Sequence, residues 1–390
     1  MVRPKTDFAI VNRGFWPRSQ VIGEALLRLA EKAAETRAVT VITQSEGSLQ
    51  RALSSADRGK SLRVMDSRAR SDSSSGLIRR ILDAAVFMCW VFISLIRVRP
   101  ARIYVSTNPP VVVPFVVFLY ARLLGAKYIY HVQDIHPEAA NIVVRVNPLV
   151  YRVLRWADGV VLRNAESLIT LSDDMKREIK ERSQTSAPVH LLDNPAPSVE
   201  PSLGGDRKRG IVFCGNAGRL QRMPLVLDSI HAYLEEGGRM AFTFVGGGVY
   251  APRIQELAGA FQQVTYHGFL PADQASDIVK KHAWGLMPID DEVTRYAFPS
   301  KSSTYVVSGC NVLAVCGEHT SVARWVEENK VGVACPPNQS AVLSKFRKIE
   351  QDGDDSGLRV PDSLKEKLAM ATFVDRVAQI LDAPVTGSTG

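Results

Sequence analysis

The chain alternates between short apolar runs and longer segments with an apolar position every three or four residues. In the first half, strands are expected at 8–12, 38–43, 102–107, 127–132 and 167–172. Helical spacing covers about 20–35, 77–98, 110–125, 148–164 and 173–183. In the second half, apolar runs within 210–218, 241–248, 264–269, 283–289, 311–317 and 331–337 each run out into a turn. Strands alternating with helices predict parallel sheets built of βαβ units. The stretch 51–76, rich in Ser and Arg, reads as a mobile loop. Pro, Gly, Ser and charge concentrate at 196–210, which is linker chemistry. The predicted fold class is therefore α/β, with two doubly wound Rossmann-like domains, 1–195 and 211–365, facing across a cleft. A helix at 366–383 is expected to pack back towards the first domain, ahead of a disordered tail at 384–390. A length of 390 residues accommodates two such domains.

Two apolar segments raise a membrane question. Residues 81–96 are apolar over 16 positions but for Asp83 and Ser94, with Arg79, Arg80, Arg97 and Arg99 on their flanks. A spanning helix needs about 20. A second run, 109–126, is interrupted by Arg122. Both read as helices of the first domain, either plain core helices or helices with one face buried and the other resting on lipid, arginines at headgroup level. The N-terminus lacks the apolar run of a signal peptide and opens into a strand.

Composition narrows the class. Hydrophobic content of 46% and charged content of 23% are those of an ordinary globular protein. Cys89, Cys214, Cys310, Cys316 and Cys335 are scattered and odd in number, against a disulfide framework or a zinc site. A net charge of +8 favours phosphorylated or anionic partners. Nucleic acid is not expected, because the basic residues lack interleaved aromatic platforms.

Chemistry is expected where strands end. Pro299, Ser300 and Lys301 precede a segment that reads as a helix ending at Gly309. Ser300 is the expected N-cap, and Lys301 adds a full charge to the helix start, which suits a diphosphate. The alternative is an ordinary capped surface helix. Gly215, Asn216, Gly218 and Arg219 form a glycine-rich turn after a strand, and Gly246 and Gly247 form another. Such turns let phosphate approach backbone, and an arginine can supply paired donors. Neither a dinucleotide fingerprint with its ribose-binding acid nor a P-loop is present. In the first domain, His131, Asp134, His136 and Glu138 gather at the end of one strand. They suit acid–base work or sugar hydroxyls, or else Asp134 and Glu138 simply cap the next helix. Their spacing matches no zinc pattern. Asn12 and Gly14 follow the first strand, where glycine permits close approach of a substrate or merely makes a tight turn.

Taken in order, six segments resemble glycosyltransferase family 4, and within it the bacterial enzymes that build O-antigens and related surface polysaccharides. They are YHVQDIHPEAA (130–140), LLDNPAP (191–197), CGNAGRLQ (214–221), FTFVGGGVYAPRIQELA (242–258), YHGFLPADQASDIVKKHAWGLMPI (266–289) and FPSKSSTYVVSGCNVLAV (298–315). The resemblance implies a GT-B fold, a nucleoside-diphosphate sugar as co-substrate, UDP by analogy, and no obligatory metal or other cofactor. It implies transfer of a hexosyl or N-acetylhexosaminyl group with retention to a lipid-linked or oligosaccharide acceptor. It also implies a cytoplasmic protein held peripherally on the anionic inner face of the plasma membrane. Arg219 and Lys301 would neutralise the leaving diphosphate. The backbone of Phe269 and Leu270 would hold the base. The family's two glutamates around Pro-Ser-Lys correspond here to Tyr296 and Thr304. Asp290, Asp291 and Glu292 stand near as substitutes, and Arg222 lies close to the place of a missing basic residue, Pro224. Two competing readings share the fold: a sugar-nucleotide 2-epimerase using the His131–Glu138 group, and a degenerate nucleotide-sugar-binding subunit.

Overall fold

The computed structural model describes residues 6–70, 76–197, 208–352 and 360–383. The chain divides into two units, Met1–Asp193 with Ala371–Gly390, and Asn194–Met370.

In the first unit β1 (Thr6–Val11) leads into α1 (Ile22–Ala34), β2 (Val39–Ser45), α2 (Leu49–Ser55) and β3 (Arg63–Arg68). Then follow α3 (Leu77–Val98), β4 (Pro100–Ser106), α4 (Val112–Leu124), β5 (Lys127–His131), α5 (Glu138–Val143) and α6 (Pro148–Asn164). β6 (Ser167–Thr170), α7 (Asp173–Ser183) and β7 (Val189–Leu191) complete the run. All seven strands pair in parallel, in the order β3-β2-β1-β4-β5-β6-β7. Their apolar runs follow from burial on both faces, as parallel sheets require. The order reverses direction between β1 and β4, and ligands bind beyond the carboxyl ends of strands at such a switch point.

The second unit repeats the design with β8 (Lys208–Cys214), α8 (Met223–Glu235), β9 (Ala241–Val245), α9 (Ala251–Ala260), β10 (Val264–Tyr266) and α10 (Ala272–Lys280). β11 (His282–Pro288), α11 (Lys301–Val307), β12 (Asn311–Val315), α12 (Ser321–Glu328), β13 (Gly332–Cys335), α13 (Gln339–Asp352) and α14 (Asp362–Leu368) follow. The six strands are again parallel, ordered β10-β9-β8-β11-β12-β13, with the switch point between β8 and β11. Phe213, Phe242, Phe244, Tyr233 and Phe346 anchor its core. The last helix, α15 (Met370–Asp382), belongs almost wholly to the first unit. There Lys32 pairs with Asp375 at 2.6 Å, and Phe373 packs against the His131 ring.

One expectation is corrected. Residues 51–76 are not a loop: α2 and β3 occupy much of the stretch, and β3 extends the sheet beside β2 from Thr40↔Arg63 to Ser45↔Arg68. β3 lies at the sheet edge with half-buried or exposed side chains, so its sequence is polar. Residues 71–75, the centre of the predicted linker at 198–207 and the tail at 384–390 lie outside the described residues.

The apolar helix α3 carries two stripes. Phe87, Val91, Leu95 and Val98 are fully buried, and Asp83 lies one turn before them on the same face. Leu82, Val86, Ile93 and Ile96 form an outer stripe that is exposed. α4 exposes Leu119, Leu123 and Leu124, and α6 exposes Leu149, Val150, Val153 and Trp156, with the Trp156 ring 6.1 Å from Phe115 of α4. No described helix is long and apolar enough to cross a membrane.

Candidate active site

In the second unit the switch point is built from glycine turns locked together by backbone. After β8, Gly215 N donates to Val245 O at 2.8 Å and Ala217 N to Gly247 O at 2.7 Å. A Cβ at Gly246 would lie 2.1 Å from Gly215 O, and one at Gly248 would lie 2.5 Å from Ala217 O. Both have φ in the left-handed range. Only glycine brings the two turns this close. Gly218 N is bonded to Gln221 Oε1 at 2.9 Å.

Lys301, at the start of α11, points into this construction. A Cβ at Gly215 would lie 3.6 Å from its Cε and 3.8 Å from its Nζ. The ammonium sits 4.0 Å from the centroid of the Phe213 ring. The stem is partly exposed, yet Nζ is buried with no hydrogen-bond partner. Burial pushes its pKa down to about 7, opposed weakly by Cys214. A cation over an aromatic face recovers about 0.5–2 kcal/mol, while the effective cost of burying an unpaired charge is several. The ring alone does not account for a lysine here. An anion would.

Arg219 begins a short 3-10 turn, Arg219–Gln221, on the segment that follows the glycine turn. It is exposed and has no partner among the described residues. Ser300 occupies the N-cap position of α11, but its side chain caps nothing, correcting the expectation. α11 has seven residues, so its dipole counts for less than the lysine's full charge. Pro299 precedes it, and its carbonyl accepts from Ser302 Oγ at 2.9 Å. Thr304 is half-buried on α11, and Tyr296 lies with the Arg295 guanidinium 5.4 Å from its ring centroid. Neither is a carboxylate. Asp290 and Asp291 do not stand free as substitutes: both pair with Arg222, at 3.3 and 3.2 Å, and Asp291 also accepts from Gly317 N at 2.9 Å. Arg222 is therefore neutralised where it stands. Phe269 is 87% exposed beyond β10, next to half-buried Leu270.

Sequence reasoning missed Tyr305. Its hydroxyl accepts from Cys214 N at 2.9 Å and donates to Leu286 O at 3.0 Å, tying β8 to β11 at the switch point. The signal was Gly285, whose absent side chain makes room: a Cβ there would lie 2.3 Å from the Tyr305 ring.

In the first unit the residues of the β5 end separate. His131 is fully buried, its Nδ1 2.6 Å from Tyr104 Oη, and burial pushes its pKa down to about 3. It is a neutral core residue, which corrects its assignment to sugar contact. Glu138 is corrected too. Its carboxylate is buried and paired with Arg182 at 2.5 Å and Arg155 at 3.2 Å. Arg182 also pairs with buried Asp158, which accepts from Tyr130 Oη at 3.0 Å. The cluster joins β5, α5, α6 and α7, and Glu138 belongs to it as structure. Asp134 differs: it has no partner among the described residues, and burial raises its carboxyl pKa to about 6. His136 is half-buried, and burial, then the nearby Arg182 charge, lowers its pKa to about 4. Asp134 is thus the acid–base candidate left by the geometry. At the β1 end, Asn12 is buried, accepts from Ser106 Oγ at the end of β4, and donates to Gly14 O. Gly14 comes within 3.2 Å, measured from an added Cβ, of Asn108 Nδ2. Among the described residues no group of three His, Cys, Asp or Glu could hold a metal ion.

Comparison with known proteins agrees with this architecture. Residues 22–195 match the glycosyl transferase 4-like domain family. The Pseudomonas aeruginosa protein named "Probable glycosyltransferase WbjE" is 26% identical over 67% of this chain and 70% of its own length. Among solved structures, Anabaena HepE in complex with UDP aligns with a TM-score of 0.64 at 13% identity, covering 96% of this chain and 99% of that one. WaaG, a glycosyltransferase involved in lipopolysaccharide biosynthesis, aligns with a TM-score of 0.63 at 15% identity, covering 97% and 100%.

Proposed function

We propose that this chain, which resembles glycosyltransferases of the family-4 type in its first unit and in its fold, moves a sugar from a UDP-sugar, with retention, onto a lipid-linked or polysaccharide acceptor in bacterial surface-polysaccharide assembly. The observation that carries this reading is the buried, unpartnered ammonium of Lys301 beside the Gly215 turn. A nucleoside diphosphate would place its phosphates against Gly215, Asn216 and Gly218, with Gly246 and Gly247 behind them. Lys301 and Arg219 then take up the charge that develops as the diphosphate leaves, with no obligatory metal in the step. The base would rest near Phe269 and Leu270, and Tyr296 and Thr304 would face ribose or sugar as neutral groups.

On the acceptor side, Asn12, Asp134 and His136 would face the sugar hydroxyls, while Gly14 would let the donor approach the backbone. Asp134, with its raised pKa, suits proton exchange with an acceptor hydroxyl near neutral pH. Peripheral attachment to the cytoplasmic face is part of the same reading. The outer stripe of α3 and the exposed leucines of α4 would rest on anionic lipid, with Arg79, Arg97 and Arg122 at headgroup level. The names and bound ligand of the relatives, UDP on HepE and lipopolysaccharide for WaaG, support the donor and the pathway class. Loss of His131 and Glu138 to the core removes half of the acid–base set that an epimerase would use.

The test is a screen of UDP-, GDP- and dTDP-sugars for hydrolysis and for transfer to lipid-diphosphate-linked acceptors. Transfer from a UDP-sugar with the anomeric configuration kept is expected. Turnover of no donor would leave the binding-subunit reading in its place.

A further inference from the structure

α3 is apolar on both sides, yet its buried stripe begins with a carboxylate. Asp83 is the only acidic residue among its 22, and its side chain is 1% exposed. Arg13, in the turn after β1, binds it through Nη2 at 2.7 Å. Gln44, at the end of β2, joins both: Arg13 Nε donates to Gln44 Oε1 at 2.6 Å, and Gln44 Nε2 donates to Asp83 Oδ1 at 3.1 Å. Arg70 N donates to the same Asp83 oxygen at 3.3 Å. A buried ion pair is a poor source of stability, since apolar residues of equal volume serve as well or better. What it supplies is fixed geometry.

That geometry joins two surfaces. Beside Asp83 on α3, Leu82, the preceding residue, and Val86, about one turn on, begin the exposed apolar stripe. On the other side, Arg13 sits between Asn12 and Gly14 at the switch point of the sheet, with its own N bonded to Asn108 O at 2.9 Å. The Arg13 carbonyl accepts from Thr43 Oγ1 at 3.1 Å, so the turn is gripped from β2, the segment after β4 and α3 together.

We propose that Arg13 and Asp83 are positioning residues that couple the seating of α3 on an anionic lipid surface to the conformation of the Asn12–Gly14 substrate turn. Lipid contact along the outer stripe restrains α3, and the fork of Arg13 passes that restraint to the turn. This rests on the membrane reading above, and the experiment separates the two. The full chain is examined by hydrogen–deuterium exchange with and without vesicles of phosphatidylglycerol and phosphatidylcholine, and with phosphatidylcholine alone. In the wild type, anionic vesicles should slow exchange in α3 and slow it at least threefold in 12–16. The variant Asp83→Asn keeps the volume but loses the ion pair. The double variant Arg13→Met with Asp83→Leu replaces the pair by apolar side chains and keeps the fold if the single change does not. In either, α3 should still be protected while 12–16 no longer responds. A turn that responds equally in these variants, or stays unchanged in a wild type whose α3 is protected, overturns the coupling alone. An α3 that no vesicle protects removes the membrane reading, and the coupling with it.

Discussion

The two sheets end in opposite electrostatics. At the β5 end of the first unit, Glu138, Asp158, Arg182 and Arg155 neutralise one another in a largely buried cluster. At the β8 end of the second unit, the Lys301 ammonium is buried with only an aromatic face beneath it. Both are buried charge near a strand end, and a motif reading treats them alike. The difference is compensation. A buried charge with its counter-charge present explains itself as structure, and one without points to something that arrives.

Breaking the compensated cluster should have the largest effect. Arg182→Ala leaves Glu138 and Asp158 facing each other without their shared cation, and such losses cost about 3–5 kcal/mol. Urea unfolding should read that loss, together with loosening of the Gln133–Glu138 segment, because Arg182 also binds His136 O at 3.0 Å. A cost below about 1 kcal/mol, the size of a surface pair, would mean that the cluster is not what holds this end together.

The uncompensated lysine should behave the other way. Lys301→Met should cut transfer by about 10²–10³-fold, the size of losing one preorganised donor at a developing negative charge. The ligand-free protein should become no less stable, since an unpaired buried charge is removed. Initial rates and calorimetric melting on one sample check both halves.

The same lysine sets a pH signature. Its folded pKa, about 7, lies below the ordinary 10.5. Between those values the folded state binds fewer protons than the unfolded, so this group makes the empty protein more stable as pH rises through that window. Ligand binding has the opposite sign. A diphosphate selects the protonated lysine, so affinity for UDP should fall as pH climbs above about 7, with proton uptake on binding. Titrations at pH 6.5 and 8.5 should differ accordingly, and the Lys301→Met difference should vanish. The smallest effect is expected at exposed Arg219. Arg219→Ala should weaken UDP by roughly tenfold, as for one charge-assisted contact near solvent, without changing the melting temperature.

Much of the fold was legible because it is periodic. The spacing at 77–98, 148–164 and 173–183 gives α3, α6 and α7 with the bounds observed. The glycine turns of the second unit were legible for a similar reason, since glycine at a strand end states a local backbone need. What failed was non-local. β3 was hidden because an edge strand need not be apolar. The position of His131 at a strand end suggested exposure, but Phe373, 242 residues later, covers its ring. Glu138 reads as a free carboxylate until Arg182, 44 residues on, is folded against it. Partners brought by tertiary structure decide whether a polar residue is available for chemistry, and no spacing rule carries that information.

Lys301 thus stands ready for a diphosphate. Thermal unfolding of the wild type and Lys301→Met, each with and without saturating UDP, tests this most directly. UDP should raise the wild-type midpoint and raise that of Lys301→Met, itself equal or higher without ligand, by much less. An equal rise in both proteins would contradict this.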